Sequence, residues 1–205
     1  DIKSTGRRIG EGNTGDVYVV EVTYDYSNTP KKMACKVLRP RRPREKTNEQ
    51  LMHDCYCILS DVQMLTELNH PNIVTIAGAL KVSDPRTNFP FSMILLLMEL
   101  CDTDLNTVMA QKILTEDLHK VWFGQMVEAF NYLHCKVKLA HLDVKPENIL
   151  VNLVNLANNQ LTTDVIRQSR FKLTDFGYAT SLGKKVDHTK PVLGTWRYQA
   201  PEIRY

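Results

Sequence analysis

His141-Leu142-Asp143-Val144-Lys145-Pro146-Glu147-Asn148-Ile149-Leu150, followed by Asp175-Phe176-Gly177, is the stretch on which the reading of this chain turns. At roughly 5% usage each, His, Asp, Lys and Asn at four fixed offsets arise by chance in about one chain of this size in a thousand. A solvated turn opened by Pro146 is therefore a poor explanation. The side chains supply a proton acceptor, a cation and two oxygen donors for a hard metal ion. Asp143 would accept a hydroxyl proton, Lys145 would neutralise charge on a moving phosphoryl group, and Asn148 with Asp175 would hold Mg²⁺.

At these residues the chain resembles a eukaryotic-type protein kinase. The resemblance implies an α+β, bilobal, protein-kinase-like fold. A small antiparallel β-sheet with one helix would form the N-lobe over residues 1–97, and residues 98–102 a hinge. A mostly helical, incomplete C-lobe would follow over residues 103–205. It also implies ATP and Mg²⁺ as cofactors and, as partner, a protein substrate offering a serine or threonine hydroxyl.

The composition sets outer bounds. With 205 residues and 43% hydrophobic content, the chain can bury a core in one domain or two small lobes. A formal charge of +3 is too mild to imply a nucleic-acid partner. The basic cluster from Arg39 to Arg44, with two prolines, reads as a solvated loop. Five cysteines, odd in number and without a CxxC pair, suit reduced thiols in the cytoplasm or nucleus. No signal peptide is visible at Asp1, and the longest apolar run, Phe91 to Leu100, is too short to cross a membrane.

Residues 9–22 read as strand, glycine-rich turn, strand. Gly10, Gly12 and Gly15 make a GxGxxG, which alone appears by chance in about one 200-residue chain in fifteen. A dinucleotide-binding fold needs a helix next; here Val17, Val19 and Val20 continue as β-branched strand. That favours a lid over phosphates formed by Gly10, Glu11, Gly12, Asn13, Thr14 and Gly15. Lys36 lies in the apolar run Met33-Ala34-Cys35-Lys36-Val37-Leu38, and an ammonium buried there calls for an anionic partner. In the family's pattern those partners are the α and β phosphates and a helix carboxylate, with Val17 and Ala34 roofing adenine.

A helix is expected from about Glu49 to Asn69, with Leu51, Cys55, Ile58, Leu59, Val62, Leu65 and Leu68 on its apolar face. Counting back from His70-Pro71-Asn72, its carboxylate is Asp61, where the family has Glu. Asp is shorter by about 1.5 Å, which weakens an ion pair from about 4 to about 3 kcal/mol at an effective dielectric of 20. Ile73 to Leu80 and Phe91 to Leu100 read as the last two strands of the sheet. The resemblance then makes Met98 the gatekeeper and Glu99, Leu100 and Cys101 the hinge beside adenine. Leu150 joins the nucleotide contacts, and Asp104 is a ribose contact or, equally, a helix N-cap.

Thr115 to Cys135 is an amphipathic helix capped by Thr115, with Leu118, Val121, Trp122, Met126, Ala129, Phe130 and Leu133 inward. The segment from about Val151 to Arg170, rich in Asn, Gln and Thr, reads as a solvated excursion. Residues 178–205 resemble an activation segment ending in Gly194-Thr195-Trp196-Arg197-Tyr198-Gln199-Ala200-Pro201-Glu202. With Lys145 this points to the serine/threonine branch, the Thr195 hydroxyl bracing Asp143 and Lys145. Thr189 is a candidate phosphosite, but Leu142 replaces the arginine that clamps such a phosphate in the family. The alternatives are a nucleotide-binding pseudokinase, favoured by Asp61 and Leu142, or a truncated, non-catalytic, kinase-like scaffold.

Overall fold

The computed structural model describes residues 1–11, 15–27, 29–38, 58–59, 62–83, 93–154, 161–183 and 194–201. Two compact units emerge: Asp1–Leu68 with Thr75–Leu100, and Asn69–Val74 with Cys101–Tyr205.

The first unit is built on β1 (Ile2–Gly10), β2 (Asp16–Val22), β3 (Lys31–Leu38), β4 (Ile76–Val82) and β5 (Met93–Glu99). They form one antiparallel sheet in the order β1-β2-β3-β5-β4. Alternation along each strand sorts side chains onto two faces. Val20, Val22, Met33, Cys35 and Leu97 make the apolar cluster on one face. The other face is set by register: Val17 pairs with Lys36 and Lys36 with Leu96, while Val19 pairs with Ala34 and Ala34 with Met98.

The expected strand from Ile73 begins only at Ile76. Ile73 instead makes a parallel bridge to Leu173, so that this apolar pair is consumed by another edge. Residues 58–59 and 62–66 are helical, with Val62, Leu65 and Leu68 buried as expected for the apolar face. The helix stops at Thr66, short of the expected Asn69, with Glu67 in a turn; Asp61, the basic cluster from Arg39 and the expected start of that helix lie outside the described residues.

In the second unit β6 (Thr103–Asp104) leads into α1 (Leu105–Ala110), capped by Asp104. Thr115 caps α2 (Glu116–Asn131), accepting from the Leu118 amide, and Glu116 and Asp117 complement the helix dipole. Leu118, Met126 and Ala129 are fully buried along its stripe. Val121, Trp122 and Phe130, expected inward, are half-buried because they flank that stripe. The helix widens into a π-helical turn, Tyr132–Val137, and Lys138 at φ +61° ends it before β7 (Leu139–Ala140).

β8 (Ile149–Asn152) and β9 (Arg170–Leu173) are antiparallel, in a sheet ordered β6-β8-β9, and β10 (Thr180–Ser181) pairs with β7. The excursion between β8 and β9 is less solvated than its composition suggests. Thr162 caps α3 (Thr163–Gln168), whose Val165 and Ile166 are buried, and α3 packs on α2. Two adjacent apolar residues, masked by polar neighbours, are enough to pin it; residues 155–160 lie outside the described set. Among the described residues no helix is long and apolar enough to cross a membrane.

Candidate active site

The second unit gathers the chemistry. His141, Asp143, Lys145 and Asn148 occupy the loop between β7 and β8, and Asp175 follows β9. β8 pairs with β9 so that Ile149 faces Leu173, and the Thr174 amide donates to the Asn148 carbonyl at 2.9 Å. That register sets Asn148 and Thr174-Asp175 at the same end of one two-stranded ladder. Their separation in sequence is closed by backbone pairing.

Asp143 is almost wholly buried, with 3% exposure. Burial alone would favour its protonated form, so the carboxylate needs compensating donors. Its Oδ1 accepts from the Thr195 backbone amide at 2.7 Å. Its Oδ2 accepts from Asn148 Nδ2 at 3.0 Å and pairs with Lys145 Nζ at 3.1 Å. Burial pushes the Asp143 carboxyl up, but the Thr195 and Lys145 hydrogen bonds and the Lys145 charge outweigh it and hold the group below its ordinary value. Asp143 therefore stays a buried carboxylate.

Lys145 also donates to Thr195 Oγ1 at 2.8 Å, so Thr195 braces both residues, its backbone amide adding to the expected hydroxyl. This brace depends on Gly194. At φ +86° a Cβ there would lie 2.3 Å from the Leu142 carbonyl oxygen, so only glycine lets the two segments approach. Leu142 itself sits at φ +64°, a left-handed conformation unfavourable for a leucine.

His141 ties the loop to the strand beyond it. Its Nδ1 accepts from the Asp143 amide at 3.2 Å, and its Nε2 lies 2.9 Å from the Thr174 carbonyl. Its ring also packs on Phe176, with centroids 4.8 Å apart. Both bonds are made together by the neutral ring protonated at Nε2. Burial lowers the His141 pKa, against the opposing pull of the Thr174 carbonyl and of Asp175 and Asp143.

The donor set suits Mg²⁺ bound with phosphates. Asn148 Nδ2 donates to the Asp143 carbonyl at 2.8 Å and to its side chain, which fixes the amide and turns its oxygen away from those partners. Asp175 supplies a carboxylate whose Oδ1 also accepts from the Gly177 amide at 3.4 Å. Among the described residues no group of three or more His, Cys, Asp or Glu side chains is arranged to hold a metal. Two hard oxygen donors match an ion that keeps waters and substrate phosphates as its other ligands.

In the first unit Val17, Ala34, Lys36 and Met98 share the sheet face opposite the apolar cluster. Lys36 is buried with 8% exposure. Gly10 pairs with Val17 at the end of β1. Gly15, at φ +141°, has its Cβ direction filled by the Val37 carbonyl oxygen at 2.5 Å, so a side chain there would collide with β3. Glu11 is exposed and pairs with Arg8 at 3.0 Å. Gly12, Asn13 and Thr14 lie outside the described residues, as do Thr189 and Glu202. Glu99 is tied down at both ends: its backbone amide donates to the Thr75 carbonyl at 3.0 Å, and its carboxylate accepts from the Thr75 amide at 2.6 Å.

Of the remaining expected contacts, Cys101 is half-buried, and Leu150 is half-buried on β8 opposite Asp104 and Lys172. Asp104 spends both carboxylate oxygens on Thr107, accepting from its amide at 2.8 Å and its hydroxyl at 2.9 Å. The N-cap reading of Asp104 is the one this geometry supports. Sequence reasoning used Asn72, a buried amide, only as a landmark and passed over Gln125, a half-buried amide whose only signal is a polar residue amid apolar neighbours.

This arrangement has a family. The chain belongs to the protein kinase domain family, which it matches over residues 4–204. Its two units, one an antiparallel sheet and the other mainly helical around a short ladder, are the α+β architecture of that bilobal fold. The chain is similar to the probable serine/threonine-protein kinase fhkE of Dictyostelium discoideum, with 34% identity over 97% of this chain and 24% of that one. It is 29% identical to the CTD kinase subunit alpha of Saccharomyces cerevisiae over 96% of this chain and 31% of the other. To mitogen-activated protein kinase 4a of Physcomitrium patens it is 32% identical over 71% of this chain and 34% of the other. The chain thus spans about a quarter to a third of the length of these curated relatives.

Proposed function

We propose that this chain is the catalytic part of a serine/threonine protein kinase, transferring the γ-phosphoryl group of ATP to a protein hydroxyl with Mg²⁺. The observation that carries the reading is the Asp143 carboxylate, buried yet kept ionised by Lys145, Asn148 and Thr195.

Asn148 and Asp175 would hold Mg²⁺, which would supply positive charge to offset that of the phosphates. Lys36 would pair with the α and β phosphates, and Val17, Ala34 and Met98 would present an apolar face to adenine. Gly10, Glu11, Gly12, Asn13, Thr14 and Gly15 would cover the phosphates with backbone amides. Glu99 and Cys101 would meet the base through their backbone, Leu150 would pack against it, and Asp61 would orient Lys36.

Asp143 orients the acceptor hydroxyl and takes its proton. A carboxylate held below its usual pKa is a weak base, so the proton moves late, once bond formation to phosphorus has made the hydroxyl acidic. Lys145, beside that carboxylate, places a cation where negative charge develops on the transferring group. Thr195 keeps Lys145 and Asp143 in register, which supports a serine or threonine acceptor.

A nucleotide-binding scaffold without turnover is the second reading, favoured by Leu142 in place of the family's arginine. ATP binding without phosphate transfer would support it, and Asp61→Glu would then leave the rate unchanged. A measurable Mg²⁺-dependent rate that Asp143→Asn removes supports the kinase.

A further inference from the structure

One edge of β9 pairs with β8. The other edge is closed largely by side-chain amides. Gln125 Nε2 donates to the Ser169 carbonyl at 3.1 Å, and Gln125 Oε1 accepts from the Phe171 amide at 2.9 Å. Asn72 Nδ2 donates to the Phe171 carbonyl at 2.9 Å and to Gln125 Oε1 at 2.7 Å. The backbone takes over next: the Leu173 amide donates to the Asn72 carbonyl and the Val74 amide to the Leu173 carbonyl, each at 2.9 Å.

The Gln125 side chain therefore offers β9 one acceptor and one donor, as the peptide group of a neighbouring strand would. Such a pattern accepts one register. A one-residue slip would set Gln125 against the wrong groups and turn the buried Phe171 and Leu173 to the opposite side. Gln125 projects from the middle of α2, where buried Met126 and Ala129 hold the helix, and Asn72 is itself 3% exposed. The strand so fixed delivers Asp175, whose φ of +61° persists only where its surroundings over-determine it.

We propose that Gln125, together with Asn72, is a positioning residue that sets the register of β9 and so aims the Asp175 carboxylate at the metal. The inference rests on the role given to Asp175 above. Sequence motifs do not report it, because the two amides meet β9 from distant parts of the chain.

The test uses the full-length protein, with Mn²⁺ as the probe ion in the presence of ADP. Gln125→Glu is nearly isosteric; it keeps the acceptor for Phe171 but sets an acceptor against the Ser169 carbonyl. Gln125→Ala removes both bonds. Thr115→Ala, at the cap of the same helix, is the control for lost stability alone. Gln125→Ala should lose hydrogen-exchange protection at the Phe171 amide, and both Gln125 variants should bind Mn²⁺ about tenfold more weakly. Their kcat should fall while the KM for peptide holds, and Thr115→Ala should leave Mn²⁺ affinity unchanged. Retained protection at Phe171 would overturn the register lock. Lost protection with wild-type Mn²⁺ affinity would show that the lock does not aim Asp175. Failure of the wild type itself to bind Mn²⁺ with ADP would instead remove the metal role of Asp175, and the inference with it.

Discussion

Asp143 is a carboxylate that burial pushes toward its neutral form and two neighbouring residues, Thr195 and Lys145, pull back. Its ionisation depends on the approach of Thr195, and that approach depends on the absence of a side chain at position 194. Gly194→Ala should displace the Thr195 amide from Asp143 and lower kcat by at least about tenfold, roughly the worth of one charge-assisted hydrogen bond. A steady-state assay beside a thermal melt checks this; an unchanged kcat would show the brace to be incidental. His141 gives a pH dependence of definite sign. Its folded pKa lies below its ordinary 6.5, so below that value the unfolded chain binds more protons than the folded one. The stability that neutral His141 contributes is complete above pH 6.5 and is lost as pH falls from there through the folded value. Chemical denaturation at about pH 7.5 and about pH 5.5 should show lower stability at the acid end. His141→Asn should remove part of that difference.

The β8–β9 ladder is the element that turns separated motifs into one site, since its register places Asn148 and Asp175 at a common end. Both motifs were legible in the sequence because the chemistry needs those residue types at fixed offsets. The ladder's other edge was not, because an Asn and a Gln far apart in the chain look like any polar residues until they meet the same strand. Helix α2 was legible for the opposite reason, its apolar stripe and Thr115 cap both being local signals. Its π-helical end at Tyr132–Val137 carries no such signature, and the Asn-rich segment hid the buried pair Val165 and Ile166 behind polar neighbours. Thr115→Ala should cost about 1 kcal/mol of stability by freeing the Leu118 amide, read as a lower melting temperature with kcat intact. A loss of kcat at constant stability would mean that α2 does more than pack.

At the scale of the whole chain, each unit has its own core and its own part of the proposed chemistry. Val17, Ala34, Lys36 and Met98 lie on one face of the sheet, and Asp143, Lys145, Asn148 and Asp175 surround the ladder. If both parts engage Mg²⁺ and nucleotide, ligand at about one hundred times its Kd should raise unfolding stability by about 2.7 kcal/mol. Lys36→Met and Asp175→Asn should each abolish most of that gain in a melting experiment; retention of the full gain in both would show that neither residue holds the ligand. The measurement closest to the central claim is phosphate transfer from radiolabelled ATP with Mg²⁺ to a degenerate peptide library, by the full-length protein beside its Asp143→Asn variant. The account predicts label on serine or threonine that the variant reduces by at least about a hundredfold. Equal labelling by the two proteins would contradict it.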